Sequence, residues 1–550
     1  MNHSCNVGDG SSPPPQETPS DNNAVDPQPI SVEVAPTITS SNSEMVLFVE
    51  FPEALECIHR LSSSEADVQD HSDKNRALQR LREIFDKYLE LPSLLDRNLS
   101  ELIGALADPA TKILTQQQEQ EISNDESFSF TFSYILSALY AISKVRGRKR
   151  VQKFLPHEVQ FVEPALNALI RMDQSEQEEK ANNKETTSLK DDNSKSGGTP
   201  DQELPPSWES TYSLWNWIGK LSLVPFDASV VADTQVISNL IELAKKHLSH
   251  AGPTREVAAS SLASWLSRPD LEATELPAFI EWSRQRLSLD QQERQLFLTM
   301  GILQTAVNIL KVSTSERTTL LDNMLPLWDP LVSITEERPS NLLMRKYLVK
   351  WWTRLGRLYL PPRIAPWRYS RGRRSLKENL SKTTNDESKH LEDSNNQSKT
   401  SKHQQEVFYV PDEVEVAMGH VIDSLADSAT NVRWSAAKGV GRLTERLPAI
   451  CAEDVLDAIL ERFKDREQDH AWHGACLALA ELIRRGLLLP HRLPDVVPLV
   501  VQAIQVREIH SYLTVLCACL FDIFCWIMLT GFLSTLHTVR RTKKNDKCRS

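Results

Sequence analysis

The sequence predicts an all-α protein made of stacked helix pairs, and three observations point that way. Glycine is scarce, at 17 of 550 residues, fewer than turn-rich β folds or Gly-rich catalytic loops require. Apolar residues recur at three- and four-residue spacing through most of the chain, which places them on one face of a helix. Two helix-sized segments also align on each other at an offset of 39 positions, Ser435-Ala436-Ala437 on Gly474-Ala475-Cys476. With 40% apolar residues, 25% charged residues and a net charge of −12, the chain is neither collagen-like nor wholly disordered. It is not the basic domain that a dedicated nucleic-acid binder carries either.

In chain order, residues 1–44 form a polar tail with Pro13-Pro14-Pro15 and few large apolar side chains. Such a segment buries too little surface to offset the entropy of ordering, so disorder is expected. Residues 45–171 read as helical repeats: Leu78, Leu81, Ile84, Phe85, Tyr88 and Leu89 fit one stripe, and Leu91-Pro92 stops that helix. Residues 172–207 are rich in Gln, Glu, Lys, Asn, Asp and Ser, and 377–406 repeat that composition. Both are expected to be disordered insertions. Between and after them, 208–376 and 407–509 read as further repeats.

The clearest organisation lies in 413–490. Val416, Val421, Ile422 and Leu425 suggest one helix, and 431–443 a second. Val455, Leu456, Ile459, Leu460 and Phe463 suggest a third, and 470–485 a fourth, closed by Gly486 and Pro490. At the 39-residue offset Val440-Gly441 falls on Leu479-Ala480 and Leu443 on Leu482. A weaker echo is Arg255-Glu256-Val257-Ala258-Ala259, running to Leu262 and Trp265. Small residues in mid-helix let the next helix pair approach closely. A repeat near 40 residues built from two antiparallel helices is the mark of a HEAT or armadillo solenoid. An unrepeated helical domain with Ala-rich helices is the rival reading. A solenoid works by surface, offering a long concave face to a protein partner.

The enzyme search finds no supporting constellation. No phosphate loop or nucleophile elbow occurs, and His157-Glu158 lacks the second His of a zinc-protease helix. Gly439-Val440-Gly441 sits inside a small-residue helix, as packing. His470, His473 and Cys476 at i, i+3 and i+6 share a helix face, but on an inner helix Cys is usually a small hydrophobe. No catalytic residue, metal site or cofactor is expected. The eight cysteines form no C-x-x-C pair, and the N-terminus has no apolar leader segment, so a cytoplasmic protein is expected.

Charge is more informative. Residues 341–374 hold ten basic side chains and no acid, with Tyr347, Trp351, Trp352, Tyr359, Trp367 and Tyr369 interleaved. Lys144, Arg146, Arg148, Lys149 and Arg150 form a second island. In an acidic protein such islands are local fields that can steer an acidic partner. RNA binding, nuclear import through 146–150, or a merely solvated helix face with snorkelling stems are the competing readings. The aromatics fit repeat core at least as well as a stacking platform. Arg363, Arg368, Arg371, Arg373 and Arg374, with Arg146, Arg148 and Lys149, are the candidate partner-binding surface. The stretch 512–536 carries one charge, Asp522, and meets the length of a membrane span. The basic tail after it opposes that topology, and a buried helix of a further repeat, or a C-terminal end foreign to the family, fits equally.

Several motifs together resemble one family. They are Leu155-Pro156-His157-Glu158 followed by Val162-Glu163-Pro164, Trp215 leading to Leu223-Val224-Pro225-Phe226-Asp227, and Ala365-Pro366-Trp367-Arg368-Tyr369 with Arg371-Gly372 and Arg374-Ser375-Leu376. Val432-Arg433-Trp434-Ser435-Ala436-Ala437-Lys438-Gly439-Val440-Gly441-Arg442 and Ala471-Trp472-His473-Gly474-Ala475-Cys476 complete the set. Their order and spacing resemble the N-terminal half of the tubulin-specific chaperone D (tubulin-folding cofactor D) family, over about 75–505. The resemblance implies a HEAT/armadillo-like fold and capture of β-tubulin after its release from the cytosolic chaperonin. It also implies assembly or dismantling of the αβ heterodimer with cofactors C and E, and engagement of an ADP-ribosylation-factor-like small GTPase. GTP hydrolysis by tubulin would be stimulated by association, and a cytoskeletal or centrosomal location would fit. Tubulin is strongly acidic, which suits the basic islands. After about 505 the resemblance ceases, so 510–550 is expected to depart from the family. A generic HEAT scaffold for another partner, or one anchored through 512–536, is the alternative.

Overall fold

A computed structural model describes residues 48–63, 68–119, 126–187, 205–362, 365, 367–368, 409–464 and 469–506. Among them every regular element is a helix. Leaving aside short helical turns, these are α1 (Phe51–Ser62), α2 (Val68–Asp86), α3 (Leu99–Glu119), α4 (Glu126–Arg146), α5 (Val162–Thr187) and α6 (Ser207–Leu221). They continue as α7 (Thr234–His247), α8 (Pro253–Leu266), α9 (Glu275–Leu287), α10 (Leu296–Val312), α11 (Arg317–Met324) and α12 (Trp328–Glu336). The last are α13 (Leu342–Tyr359), α14 (Asp412–Asp423), α15 (Thr430–Thr444), α16 (Ala449–Glu461), α17 (Asp469–Arg485) and α18 (Leu493–Val506).

The helices form two rows, as a helical-repeat solenoid requires. The inner row is α2, α4, α6, α8, α10, α13, α15 and α17, each packed on the next. The remaining helices back this row, so each repeat buries its apolar face against its neighbours. One apolar core runs from Phe48 to Ala503 and includes Trp215, Trp217, Trp265, Trp351 and Trp352. Polar rungs tie successive inner helices. Lys74 Nζ donates to Thr131 Oγ1 at 3.0 Å, Ser213 Oγ to the Leu136 carbonyl at 2.7 Å, and Trp265 Nε1 to the Ile218 carbonyl at 3.2 Å. Gln304 Nε2 donates to the Glu256 carbonyl at 3.2 Å, and Arg433 Nε to His473 Nδ1 at 3.1 Å.

The small residues are placed as the repeat pattern demands. A Cβ on Gly474 of α17 would overlap the backbone carbonyl of Leu425, and one on Gly439 of α15 would strike Thr353 and Val421. One on Gly441 would lie 2.6 Å from Glu481 Cγ. The inner helices therefore approach at glycine. Helix α17 ends where Gly486 adopts φ +72°; Leu487 N–H reaches the Leu482 carbonyl at 2.8 Å and Gly486 N–H that of Ile483 at 2.9 Å, a Schellman motif.

Some expectations shift. Val416 is 43% exposed; the buried stripe of α14 is Val414, Ala417, Met418, Val421 and Ile422, because 100° per residue carries position 416 away from 414 and 418. Leu89 is exposed because α2 has ended at Asp86. The segment 172–207 is helical as far as Thr187, since helix-compatible Glu, Gln and Lys propagate a turn already packed at Leu166 and Leu169. Asp173 within it is held by Lys246 and His247. All of the N-terminal tail, 1–44, and all of 377–406 and 512–536 lie outside the described residues. Among the described residues no helix is long and apolar enough to cross a membrane.

Candidate partner-binding groove

The two basic islands meet on the inner row. A groove of about 660 Å³ is lined by the turn after α4 and by α6, α8, α10 and α13. From that turn come Arg148, Lys149 and Lys153, and Lys220 ends α6. Arg255 sits on α8, Lys311 on α10, and Lys346, Lys350 and Arg354 on α13. Against these nine cations the lining holds one acid, Glu256. Leu223, Val312 and Leu343 add an apolar rim, exposed at 63%, 41% and 38%.

The fold fixes this arrangement locally. Asn341 caps α13, its Oδ1 accepting from Leu343 N at 2.9 Å and Met344 N at 3.1 Å. Lys346, Lys350 and Arg354 follow at i, i+4 and i+8, one stripe of that helix. The opposite stripe, Leu348, Trp351, Trp352 and Leu355, is core. Of the interleaved aromatics, these tryptophans are therefore packing, while Tyr347 lies in the groove with Lys350 Nζ 5.4 Å from its ring centre.

The cations strain one another. Lys149 beside Lys311, with burial next, draws the Lys311 ammonium below its ordinary range. Burial, then Lys346 and Arg354, pushes Lys350 down to about 8. Burial, then Arg442 and Arg357, brings Arg354 to about 10. All three guanidiniums are steadied by neutral acceptors: Arg148 donates to Ser260 Oγ at 3.1 Å, Arg255 to the His250 carbonyl at 3.0 Å and Arg354 to the Val307 carbonyl. Among the described residues none of the nine lies within ion-pair distance of a carboxylate, whereas many cations outside the groove do. A like-charged cluster with so little counter-charge attracts an anionic partner.

The structure treats the residues singled out from sequence unequally. It brings Arg148 and Lys149 into the groove. Arg146 is instead paired with Asp96, its side chain 16% exposed. Arg345, also in the basic stretch, is paired with Asp427 at 2.7 Å. Arg368 is at the end of a segment pinned just past the end of α15, where Ala365 N reaches the Glu445 carbonyl at 3.1 Å and Trp367 Nε1 the Leu447 carbonyl at 3.1 Å. Arg363, Arg371, Arg373 and Arg374 lie outside the described residues. Sequence reasoning missed Lys153, Lys220 and Lys311, which no local pattern marks, and passed over the 346–350–354 stripe, which its four-residue spacing could have shown. His473 and Cys476 are buried. His473 accepts from Arg433, and among the described residues no group of metal-ligating side chains stands together.

Comparison with known proteins places this fold. Residues 85–287 match a family described as tubulin-specific chaperone D-like, ARM repeat. Residues 343–529 match its second part, tubulin-specific chaperone D-like, ARM repeats. That second match runs past 505 and into the stretch expected to depart from the family. The chain is 26% identical over 528 residues to tubulin-specific chaperone D of Dictyostelium discoideum, covering 79% of this chain and 35% of the relative. It is 25% identical over 464 residues to tubulin-folding cofactor D of Schizosaccharomyces pombe, covering 80% of this chain and 35% of the relative. The chain thus spans about a third of the length of these relatives. Stacked helix pairs along the described residues and two successive family matches agree: this chain belongs to the tubulin-specific chaperone D family.

Proposed function

We propose that this chain acts in tubulin folding as a non-enzymatic holder of tubulin, with the groove on its inner row as the contact surface. The observation that carries the reading is the meeting of the two basic islands in one groove, nine cations against the single acid Glu256, in a chain whose relatives are named for tubulin. In this reading the groove receives β-tubulin after chaperonin release, because an acidic surface relieves the mutual repulsion of Lys149, Lys311 and Lys350. Heterodimer assembly or dismantling with cofactors C and E, stimulation of GTP hydrolysis by tubulin, and contact with an ADP-ribosylation-factor-like GTPase follow from the family. The family match runs to 529, so the sequence of 512–529 falls within the family and not beyond it.

The test is capture from cytosol by the full 550-residue chain and by its K311E/K346E/K350E variant, with β-tubulin quantified by mass spectrometry. Tubulin enriched on the parent and lost on the variant, at equal helicity, is expected. Tubulin absent from the folded parent would overturn the reading.

A further inference from the structure

The groove differs from a flat charged face in two ways. It crosses four successive helices of the inner row and the turn before them, and its cations are set along it, from Lys153 and Lys220 at one side to Lys346 and Lys350 on α13. It also has an apolar rim, with Leu223 the most exposed part. A long channel with charge along its length and apolar contacts at its edge suits an extended chain. Backbone and side chains of such a chain can reach successive helices of a solenoid in turn. The cations are mostly lysines, which act as mobile point charges and tolerate carboxylates at irregular spacing.

From this geometry we infer that the groove takes an extended acidic peptide segment, rich in Glu or Asp and carrying at least one large apolar side chain for the Leu223 rim. This rests on the proposed function and narrows it: the element recognised is a linear acidic stretch of the partner and not a folded face. A compact polyphosphate is the rival occupant of a basic cavity, but it would leave the apolar rim unused. The lowered range of the Lys311 and Lys350 ammoniums accords with a site that is stressed when empty and relieved by carboxylates.

The experiment is fluorescence anisotropy on the full chain with a labelled decaglutamate, and with the same peptide carrying two Phe in place of Glu. Saturable binding at one site is expected, tighter for the Phe peptide, with L223S removing that gain. K311E/K346E/K350E should weaken both peptides roughly tenfold or more, and the milder K311Q/K346Q/K350Q should do so in the same direction if the reversal disturbs folding. Reversal of Arg60 and Lys464, exposed cations outside the groove, should change nothing. Peptide binding that survives the Gln variant, or that the control reversals weaken equally, would overturn the inference. So would inositol hexakisphosphate binding stoichiometrically at this site more tightly than either peptide. If tubulin capture depends on these lysines while neither peptide binds, the linear segment is wrong and the proposed function stands. If the peptides bind as described and tubulin is not captured, the groove reads acidic segments of another protein.

Discussion

Asp173 receives two neighbours of α7 at once, Lys246 Nζ at 2.6 Å and His247 Nε2 at 3.1 Å. Trp215 Nε1 donates to His247 Nδ1 at 2.7 Å, which leaves the ring proton on Nε2 for Asp173. Burial alone would push this carboxyl up. The bonds from His247 and Lys246 outweigh it and hold Asp173 well below the usual carboxylate range. Removing the carboxylate leaves the buried His247 Nε2–H unpaired, so Asp173→Ala is expected to cost about 2 kcal/mol. The folded pKa is depressed, so this contribution is full above the unfolded value near about 3.9 and is lost as pH falls through the folded one. Denaturant melts of parent and variant should differ at neutral pH and converge in acid. Equal stability at neutral pH would show that α5 does not depend on this contact.

Gly474→Ala sets a methyl group against the Leu425 carbonyl, a backbone atom that cannot swing aside. Overpacking of this kind costs about 1–3 kcal/mol. Gly104 is the control. It lies within α3 with nothing near the position of a Cβ, so Gly104→Ala should stabilise by about 0.5–1 kcal/mol through helix propensity. Thermal melts that move in opposite directions are expected; a harmless Gly474→Ala would mean the turn after α14 can shift away from α17.

Lys350 holds its charge at a cost, facing Lys346 and Arg354 on its own helix and Lys311 on α10, with Glu256 on α8 the one relieving acid. Its folded pKa of about 8 lies below the unfolded value of about 10.4. The unfolded chain therefore binds more protons between these values, and stability rises with pH across that window. Below pH 8 the full cost is present. Lys350→Met is expected to stabilise the chain by about 1 kcal/mol at pH 7, the shift being discounted for screening by water. Destabilisation by this substitution would refute the strain.

The same group reports on occupancy. Carboxylates in the groove raise the Lys350 pKa toward its ordinary range, so binding an acidic peptide near pH 8 should take up protons. Calorimetry in two buffers of different ionisation enthalpy reads this as a difference in apparent heat. Lys350→Met should abolish most of it, and an identical heat in both buffers for the parent would place the peptide elsewhere.

Periodicity and small residues made the repeats legible, because Gly439, Gly441 and Gly474 mark where helices touch. Their 39-residue offset is the step between α15 and α17. The chemistry of the groove was only half legible. Arg148 and Lys149 stood out as a run, yet their partners Lys220 and Lys311 are single lysines on other helices that only stacking brings near. Conversely Arg146 looked equivalent to Arg148 until the fold set Asp96 against it. Runs of charge are local, whereas pairing across the solenoid depends on neighbours far away in sequence. Composition likewise hid the helical start of 172–207, where Asp173 is anchored by residues more than seventy positions later.

The most direct measurement is the affinity of purified tubulin for the full chain and for K311E/K346E/K350E, each at low and at moderate salt. A steep weakening with salt for the parent, and a weak, salt-insensitive interaction for the variant at unchanged helicity, are expected of the groove. Equal affinity and equal salt dependence for the two proteins would contradict it.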